Sequence, residues 1–326
     1  MQPRVVSRPF VGPPEPQKLS QRLATRLYDA TRQRRLVGAN QRTTAEGTRD
    51  GTESVTVVCI SDTHNSFPSP LPPGDILLHA GDLSRFGTFA EIQAQISWLA
   101  AQPHSHKVII AGNHDLLLDP AFVATHPDRE LDRWPGRLRS DLEWGDVQYL
   151  ERTSLDLVIK GKDRLIRVFG SPWTPRCGSW AFQYSAKNDK DSLSPTGKVP
   201  AGTDVMLVHG PPKGYLDDTG KGCAALLAEV WRVKPKLVVC GHIHAGRGEE
   251  RLHFNPVDSW YKNIMIGERQ WLSIMCLALY HFWLIATGWF ALTLTWDEGK
   301  YTRLVNAAVA GERGESDLRE PIVVVI

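Results

Sequence analysis

The sequence predicts an α/β fold in which buried strands run side by side and deliver polar residues to one cleft. Three observations predict it. Five short apolar runs, Val55 to Ile60, Asp75 to Ala80, Lys107 to Ala111, Asp204 to Val208 and Lys236 to Cys240, are bounded by Gly and Pro, as buried strands are. A segment of helical period lies between the second and third runs, and strand–helix–strand order favours a parallel sheet. Each run ends in side chains able to bind a metal, and open α/β sheets place ligands beyond the carboxyl ends of their strands.

Composition sets the bounds. A chain of 326 residues with 42% hydrophobic content has material for a sizeable core. Its net charge of +2 is close to balance, which disfavours a nucleic-acid partner. The five Cys form no CxxC pair, and Cys59 and Cys240 lie inside apolar runs. Reduced, buried thiols and an intracellular, cytosol-facing enzyme are expected. The first residues carry Arg4 and Arg8 without an apolar stretch behind them, so no secretory signal is expected at this start.

Residues 1–52 form a basic arm, rich in Arg, Gln, Thr and Pro and expected to be disordered at both ends. Within it Leu19, Leu23 and Leu27 recur at helical spacing among Arg22, Arg26, Arg32, Arg34 and Arg35. Three readings stay open: a solvated helix packed on the domain, a helix lying on an anionic membrane, and a mitochondrial targeting segment.

The domain proper is placed at 53–326. Strand 55–60 delivers Asp62 and His64, and strand 75–80 delivers Asp82. The helix from Thr88 to Gln102 has Thr88 as N-cap and turns Ile92, Ile96 and Leu99 inward. Strand 107–111 delivers Asn113 and His114, and short helical turns fill Leu116 to Pro135. Val147 to Leu150, Leu155 to Ile159 and Leu165 to Phe169 read as strands, the last two joined as a hairpin at Gly161-Lys162-Asp163. The aromatic loop Gly170 to Trp180 is either a rigid loop over the sheet edge or a wall of the cleft. Residues 185–202 read as a loop. Strand 204–208 gives His209, helix 222–233 turns Leu226, Leu227 and Val230 inward, and strand 236–240 gives His242 and His244.

The candidate metal ligands are therefore Asp62, His64, Asp82, Asn113, His209, His242 and His244. They offer nitrogen and oxygen but no thiolate, which suits Mn, Fe or Zn better than a soft metal. They are too many for one ion and natural for two ions sharing a carboxylate. Two such ions can clamp an in-line phosphoryl displacement and acidify a water. His114 is placed to protonate a leaving oxygen, and Asp115 to orient its imidazole.

The ordered blocks Asp62-Thr63-His64, Gly81-Asp82, Gly112-Asn113-His114-Asp115, His209-Gly210 and Gly241-His242-Ile243-His244 resemble those of the calcineurin-like metallophosphoesterase superfamily. The stretches Gly81 to Arg85, Gly170 to Pro175, His209 to Pro212, Leu304 to Ala307 and Pro321 to Ile326 are similar to its metallophosphoesterase domain-containing subfamily. That resemblance implies a four-layer α/β/β/α sandwich, here with an apolar helical insertion near the C-terminus. It implies one metal on Asp62, His64, Asp82 and His244 and a second on Asp82, Asn113, His209 and His242, with Asp82 bridging and His114 as the catalytic histidine. Some animal members resembling this chain carry Gly where His242 stands, so the resemblance implies a complete site here. Ser/Thr protein phosphatases carry G-D-x-x-D-R-G, whereas this chain has Gly81-Asp82-Leu83-Ser84-Arg85-Phe86-Gly87. The difference favours small phosphoesters over phosphoproteins.

From Trp271 to Trp296 the chain carries no Asp, Glu, Lys or Arg, a length that suits a bilayer span of roughly 20 residues. Residues 302–307 and 321–326, however, read as strands of the metal-bearing domain. A segment dipping into one leaflet and returning, with the active site on the cytosolic side, reconciles the two; packing on the domain or on a second copy is the alternative. A membrane surface is thus an expected partner, through 271–296 and the basic arm. The function expected is a two-metal phosphodiesterase acting on a small phosphodiester such as a cyclic nucleotide. The alternatives are a phosphomonoesterase and a membrane-attached scaffold with little turnover.

Overall fold

Alternating side chains on the first strand divide the interior. In the computed structural model, which describes residues 18–39, 53–185, 192–218, 220–287, 300–311 and 314–326, strand β1 spans Thr56–Ile60. Its Val57 and Cys59 point into one buried cluster and Val58 and Ile60 into another, as a pleat of period two requires. A strand buried on both faces is apolar on both, which is why Val57 to Ile60 carries no polar alternation.

Strands β2 (Ile76–His79), β3 (His106–Ile109) and β4 (Val147–Tyr149) follow β1 in parallel. Helix α1 (Leu19–Ala39) precedes them, and helix α2 (Phe89–Ala100) connects β2 to β3. Helix α2 begins at a capping box: Thr88 Oγ1 accepts from Glu91 N at 3.3 Å and Glu91 Oε2 accepts from Thr88 N at 3.1 Å. The short helix α3 (Pro120–Thr125) begins one residue beyond the Leu116–Leu118 turn.

Strands β5 (Thr153–Ile159) and β6 (Arg164–Ser171) form the expected antiparallel hairpin. A small parallel pair, β7 (Thr174–Pro175) and β8 (Gln183–Tyr184), braces the aromatic loop. Strand β9 (Val205–Val208), helix α4 (Ala224–Val233), strand β10 (Leu237–Cys240) and strand β11 (Gly248–His253) come next. Helices α5 (Pro256–Ile266) and α6 (Gln270–Thr287) precede β12 (Tyr301–Asn306). The chain ends in a ribbon of β13 (Ala310–Gly311) and β14 (Gly314–Leu318), then β15 (Ile322–Val325).

The strands make two large sheets, ordered β15-β1-β2-β3-β4 and β11-β12-β10-β9-β6-β5. Their inner faces meet in a core that includes Val57, Leu78 and Val108 from the first and Val168, Leu207 and Val239 from the second. The outer face of the first sheet packs on Ile92, Ile96 and Leu99 of α2. The outer face of the second packs on α4 and α5 through Leu227, Val230, Tyr261 and Ile264, with α1 and α6 in the same cluster. The result is the four-layer α/β/β/α sandwich with an apolar helix, α6, inserted near the C-terminus.

Helix α1 leaves Leu19 and Leu23 exposed and turns Gln21, Ala24, Tyr28 and Thr31 inward. Polar partners explain the choice. Gln21 Nε2 donates to Met265 O at 3.0 Å, Tyr28 Oη donates to Asp258 Oδ1 at 2.6 Å, and Thr31 Oγ1 lies 3.0 Å from His281 Nδ1. The helix thus combines these polar anchors with apolar contact from Ala24, Tyr28 and the partly buried Leu27. The apolar run from Trp271 is helical as α6 and has one packed face; its remainder, 288–296, and the ends of the arm, 1–17 and 40–52, lie outside the described residues.

Candidate metal centre

Every run that ends in a candidate ligand ends on the same rim. Asp62 and His64 follow β1, Asp82 follows β2, Asn113 follows β3, His209 follows β9, and His242 and His244 follow β10. The chain turns sharply at these ends. Asp62, His64, Asp82 and His242 all have left-handed backbones, with φ of 55°, 44°, 54° and 68°. Non-glycine residues avoid this region and occupy it where the surroundings over-determine it, commonly at functional sites. Here it folds short side chains back over the strand ends.

Backbone hydrogen bonds tie the turns together. Asp62 N donates to Gly81 O at 2.9 Å, His64 N to Asp82 O at 3.1 Å and Gly241 N to His209 O at 2.8 Å. Asp82 Oδ1 accepts from His114 N at 2.8 Å, and the other oxygen, Oδ2, lies 3.4 Å from His209 Nε2 and 3.9 Å from His64 Nε2. Asp82 thus faces both halves of the cluster. Asp62 accepts the N–H of His242 at 2.9 Å and lies 3.2 Å from His244 Nε2. Asn113 Oδ1 lies 3.0 Å from His209 Nε2.

Two groups can each hold an ion: Asp62, His64 and His244, and Asp82, His209 and His242, with ligand atoms in each within 4.8 Å of one another. All seven predicted ligands gather in or beside these groups. The donor chemistry fits a divalent ion, because buried carboxylates sit against imidazoles whose other nitrogens are already committed. His64 Nδ1 faces Ser84 O at 3.2 Å and His209 Nδ1 faces Ala80 O at 2.8 Å. Donating Nδ1–H to a carbonyl fixes the tautomer and leaves Nε2 for a ligand.

The electrostatics show what ions would displace. Burial alone raises a carboxyl, but the hydrogen bond from His244 and the charge of His209 outweigh it and hold Asp62 down at about 2. Burial disfavours a charged His209, yet the Asp82 carboxylate beside it lifts it to about 9. Both its ring nitrogens face acceptors, which matches a cation. Burial and the His209 charge push His242 down to about 4. Protons on this cluster compete with ions for the same atoms.

Around the ligands a cleft of about 500 Å³ is lined by Ser66, Arg85, His114, Cys177 and Trp180, among others. The aromatic loop serves in both of its expected ways: Trp173 packs edge-on against Phe182 at 5.5 Å, and Trp180 stacks on His114 at 4.1 Å. Asp115 does not orient His114. Its carboxylate accepts from Gly112 N, Leu83 N, Ser84 N and Ser84 Oγ at 2.6 to 3.2 Å, and so holds two ligand loops in place. The imidazole is oriented instead by Arg85 O, 2.8 Å from Nδ1.

One supporting layer escapes sequence reasoning. His79 lies fully buried in β2, and burial pushes it down to about 3, so it is neutral. Its Nδ1 accepts from Gly81 N at 3.2 Å, which leaves Nε2–H to donate to Thr63 Oγ1 at 3.0 Å. Thr63 in turn donates to Gln95 Oε1 at 3.0 Å. This relay clamps the turn between Asp62 and His64. A histidine inside a run such as Ile76-Leu77-Leu78-His79 gives no local signal of it.

Known proteins are similar to this chain. The family described as Calcineurin-like phosphoesterase matches residues 55–246. "Probable rhamnogalacturonate lyase C" of Emericella nidulans is 40% identical over 273 residues, covering 83% of this chain and 24% of that protein. "Metallophosphoesterase domain-containing protein 1" of Homo sapiens is 35% identical over 204 residues, 59% of this chain and 61% of that one. "UPF0046 protein T07D4.2" of Caenorhabditis elegans is 36% identical over 217 residues, 60% and 53% of the respective chains. This chain therefore spans between about a quarter and three fifths of the length of these three relatives. The matched stretch runs from the first core strand past the last candidate ligand and so takes in every turn that builds the rim: the chain belongs to the calcineurin-like phosphoesterases, a family of metal-dependent phosphoric ester hydrolases.

Proposed function

We propose that the chain hydrolyses a small phosphodiester with two divalent ions, Mn, Fe or Zn, held on this rim. The observation that carries the proposal is the pairing of two three-residue ligand groups across Asp82, with His114 at the mouth of the same cleft. Asp62, His64 and His244 would hold one ion and Asp82, His209 and His242 the other, Asn113 standing beside the second. When bound, such ions supply Lewis acidity to the phosphoryl oxygens and acidify the attacking water.

The chain's own residues do the rest. Hydrolysis forms one P–O bond to water and breaks one to the leaving alcohol, which must receive a proton. His114 Nδ1 is committed to Arg85 O, so in the imidazolium form the proton that can be given away sits on Nε2. Trp180 holds that ring by stacking and narrows the cleft beside it. Arg85 is the sole Lys or Arg among the described lining residues. One fixed cation suits a singly charged diester better than a doubly charged monoester. The flat indole of Trp180 suits a planar group such as a nucleobase. The free cysteines, three of them buried, suit a reducing compartment, and we place the reaction inside the cell.

The test is hydrolysis of bis(p-nitrophenyl) phosphate beside p-nitrophenyl phosphate, with Mn²⁺ and with chelator, and with His242→Ala as control. Metal-dependent turnover of the diester, lost in the variant, is the expected result. Preference for the monoester would make the chain a phosphatase. Absence of turnover and of bound metal would leave a scaffold.

A further inference from the structure

Helix α6 is long and apolar enough, by length and composition, to cross a membrane, yet only 11% of it is buried. Its two faces differ. Ser273 and Leu277 are buried, and Ile274 and Tyr280 pack on the outer core. The opposite face presents Trp271, Leu272, Met275, Leu279, Phe282 and Ile285, between 47% and 80% exposed. These positions recur every three or four residues, so they form one stripe along the helix. A continuous apolar stripe of that size in water marks a contact surface.

Helix α1 lies beside α6 and runs the same way. Near its start Gln21 reaches the carbonyl of Met265, just ahead of α6, and further along Thr31 meets His281. The outward side of α1 adds exposed Leu19 and Leu23, with exposed Arg22 and Arg26 beside them. Lys18 and Arg269 are also exposed at the starts of the two helices. The acids on these stretches are Asp29 and Glu268, and Glu268 lies 3.9 Å from Lys262. The balance beside the stripe is therefore basic.

Helix α6 cannot leave the domain to span a bilayer. Beyond it the chain returns as β12, hydrogen-bonded in parallel to β10, and β15 pairs with β1, so both ends of the segment belong to the ligand-bearing sheets. A second copy is a poorer occupant, because it would cover the apolar stripe while offering Arg22 and Arg26 few acids: among the described residues of α1 and the start of α6 these are Asp29 and Glu268. An anionic lipid surface answers both features at once: acyl chains take the apolar stripe and headgroups take the arginines.

We propose that the outer face of the α1–α6 pair docks into one leaflet of an anionic phospholipid bilayer. Both helices lie in the membrane plane. Trp271, Met275, Leu279 and Phe282 enter the acyl boundary, and Arg22 and Arg26 bind phosphates.

The experiment is co-sedimentation of the full chain with phosphatidylcholine vesicles, with and without phosphatidylserine, at low and high salt. The wild type is expected to partition onto the anionic vesicles, less so at high salt, and its tryptophan emission to shift to the blue. Arg22→Glu with Arg26→Glu should weaken that binding by about thirtyfold or more, since each basic side chain contributes roughly a factor of five. Met275→Glu with Phe282→Glu should abolish it. Both changes replace exposed side chains, so melting temperature should hold, and either pair alone suffices for the test. Failure of the wild type to bind anionic vesicles would overturn the proposal, as would binding that neither pair of changes reduces. A dimer dissociated by the Phe282 variant, without vesicle binding, would assign the face to a second copy. Resistance to alkaline carbonate extraction would show a span instead.

Discussion

Gly112 has no side chain because there is no room for one. A Cβ there would lie 2.2 Å from both the N and Oδ1 of Asp82 and 2.6 Å from His209 Cε1. Gly112→Ala should therefore push Asp82 off its place between the two ligand groups. The expected result is reduced bound metal, measured by elemental analysis, and diester turnover lower by about 10²-fold, the usual cost of a displacement near 1 Å. His114 offers a sharper test of role. His114→Gln should keep its metal and lose about 10²- to 10⁴-fold in turnover of a diester with an alkyl leaving group. Its loss on p-nitrophenyl diesters should be smaller, because that leaving group departs without a proton. Comparing the two substrates separates an acid from a merely structural ring. Residue types at strand ends were enough to single out the candidate ligands that the fold brings to one rim. They could not give Asp115 its partners, since its contacts to Leu83 and Ser84 cross 32 and 31 residues of sequence.

At the scale of the element, legibility followed the kind of packing. Strands β1, β2 and β10 are buried on both faces, so their sequences are apolar runs, broken only at Thr56, which opens β1, and at His79, which closes β2. Helix α2 announces itself by its capping box. Helix α1 is legible as a helix from the spacing of its leucines, but its packed face is not, because Gln21, Tyr28 and Thr31 bond to distant residues while Leu19 and Leu23 stay in water. Helix α4 supplies a testable case of polar anchoring. Its buried Glu229 accepts from Gly197 N at 2.8 Å and from Arg232 Nη2 at 2.6 Å. Burial pushes this carboxyl up, but Arg232 and the backbone amide outweigh it, so the net shift is downward. A lowered folded-state pKa gives stability that is complete above the unfolded value and is lost as pH falls through the folded one. Glu229→Gln should cost about 1–3 kcal/mol at neutral pH. In urea unfolding, the gap between variant and parent should close as pH is lowered below about 4, where the unfolded carboxylate itself takes a proton.

At the scale of the whole molecule, the rim joins two sheets that meet through an apolar inner core and through polar contacts such as His106 Nε2 with Val158 O and Arg303 Nη1 with Val325 O. Asp62, His64, Asp82 and Asn113 come from the β15-β1-β2-β3-β4 sheet, and His209, His242 and His244 from the other. Each candidate ligand group draws from both. An ion in either would thus be a cross-link between the layers, present only in the folded chain. Ligand binding restricted to the folded state stabilises it by about 2.7 kcal/mol at a free concentration one hundred times Kd. Mn²⁺ should accordingly raise the melting temperature and chelator should lower it. His242→Ala, which removes a donor from the second group, should reduce that shift by at least half. Because bound ions would link residues of both sheets, the protection they confer should spread. Amide exchange should slow at the carboxyl ends of β1 and β2 and equally at those of β9 and β10, while α2, on the far side of the first sheet, should change little. Protection confined to one sheet would mean that ions bound here do not link the two layers.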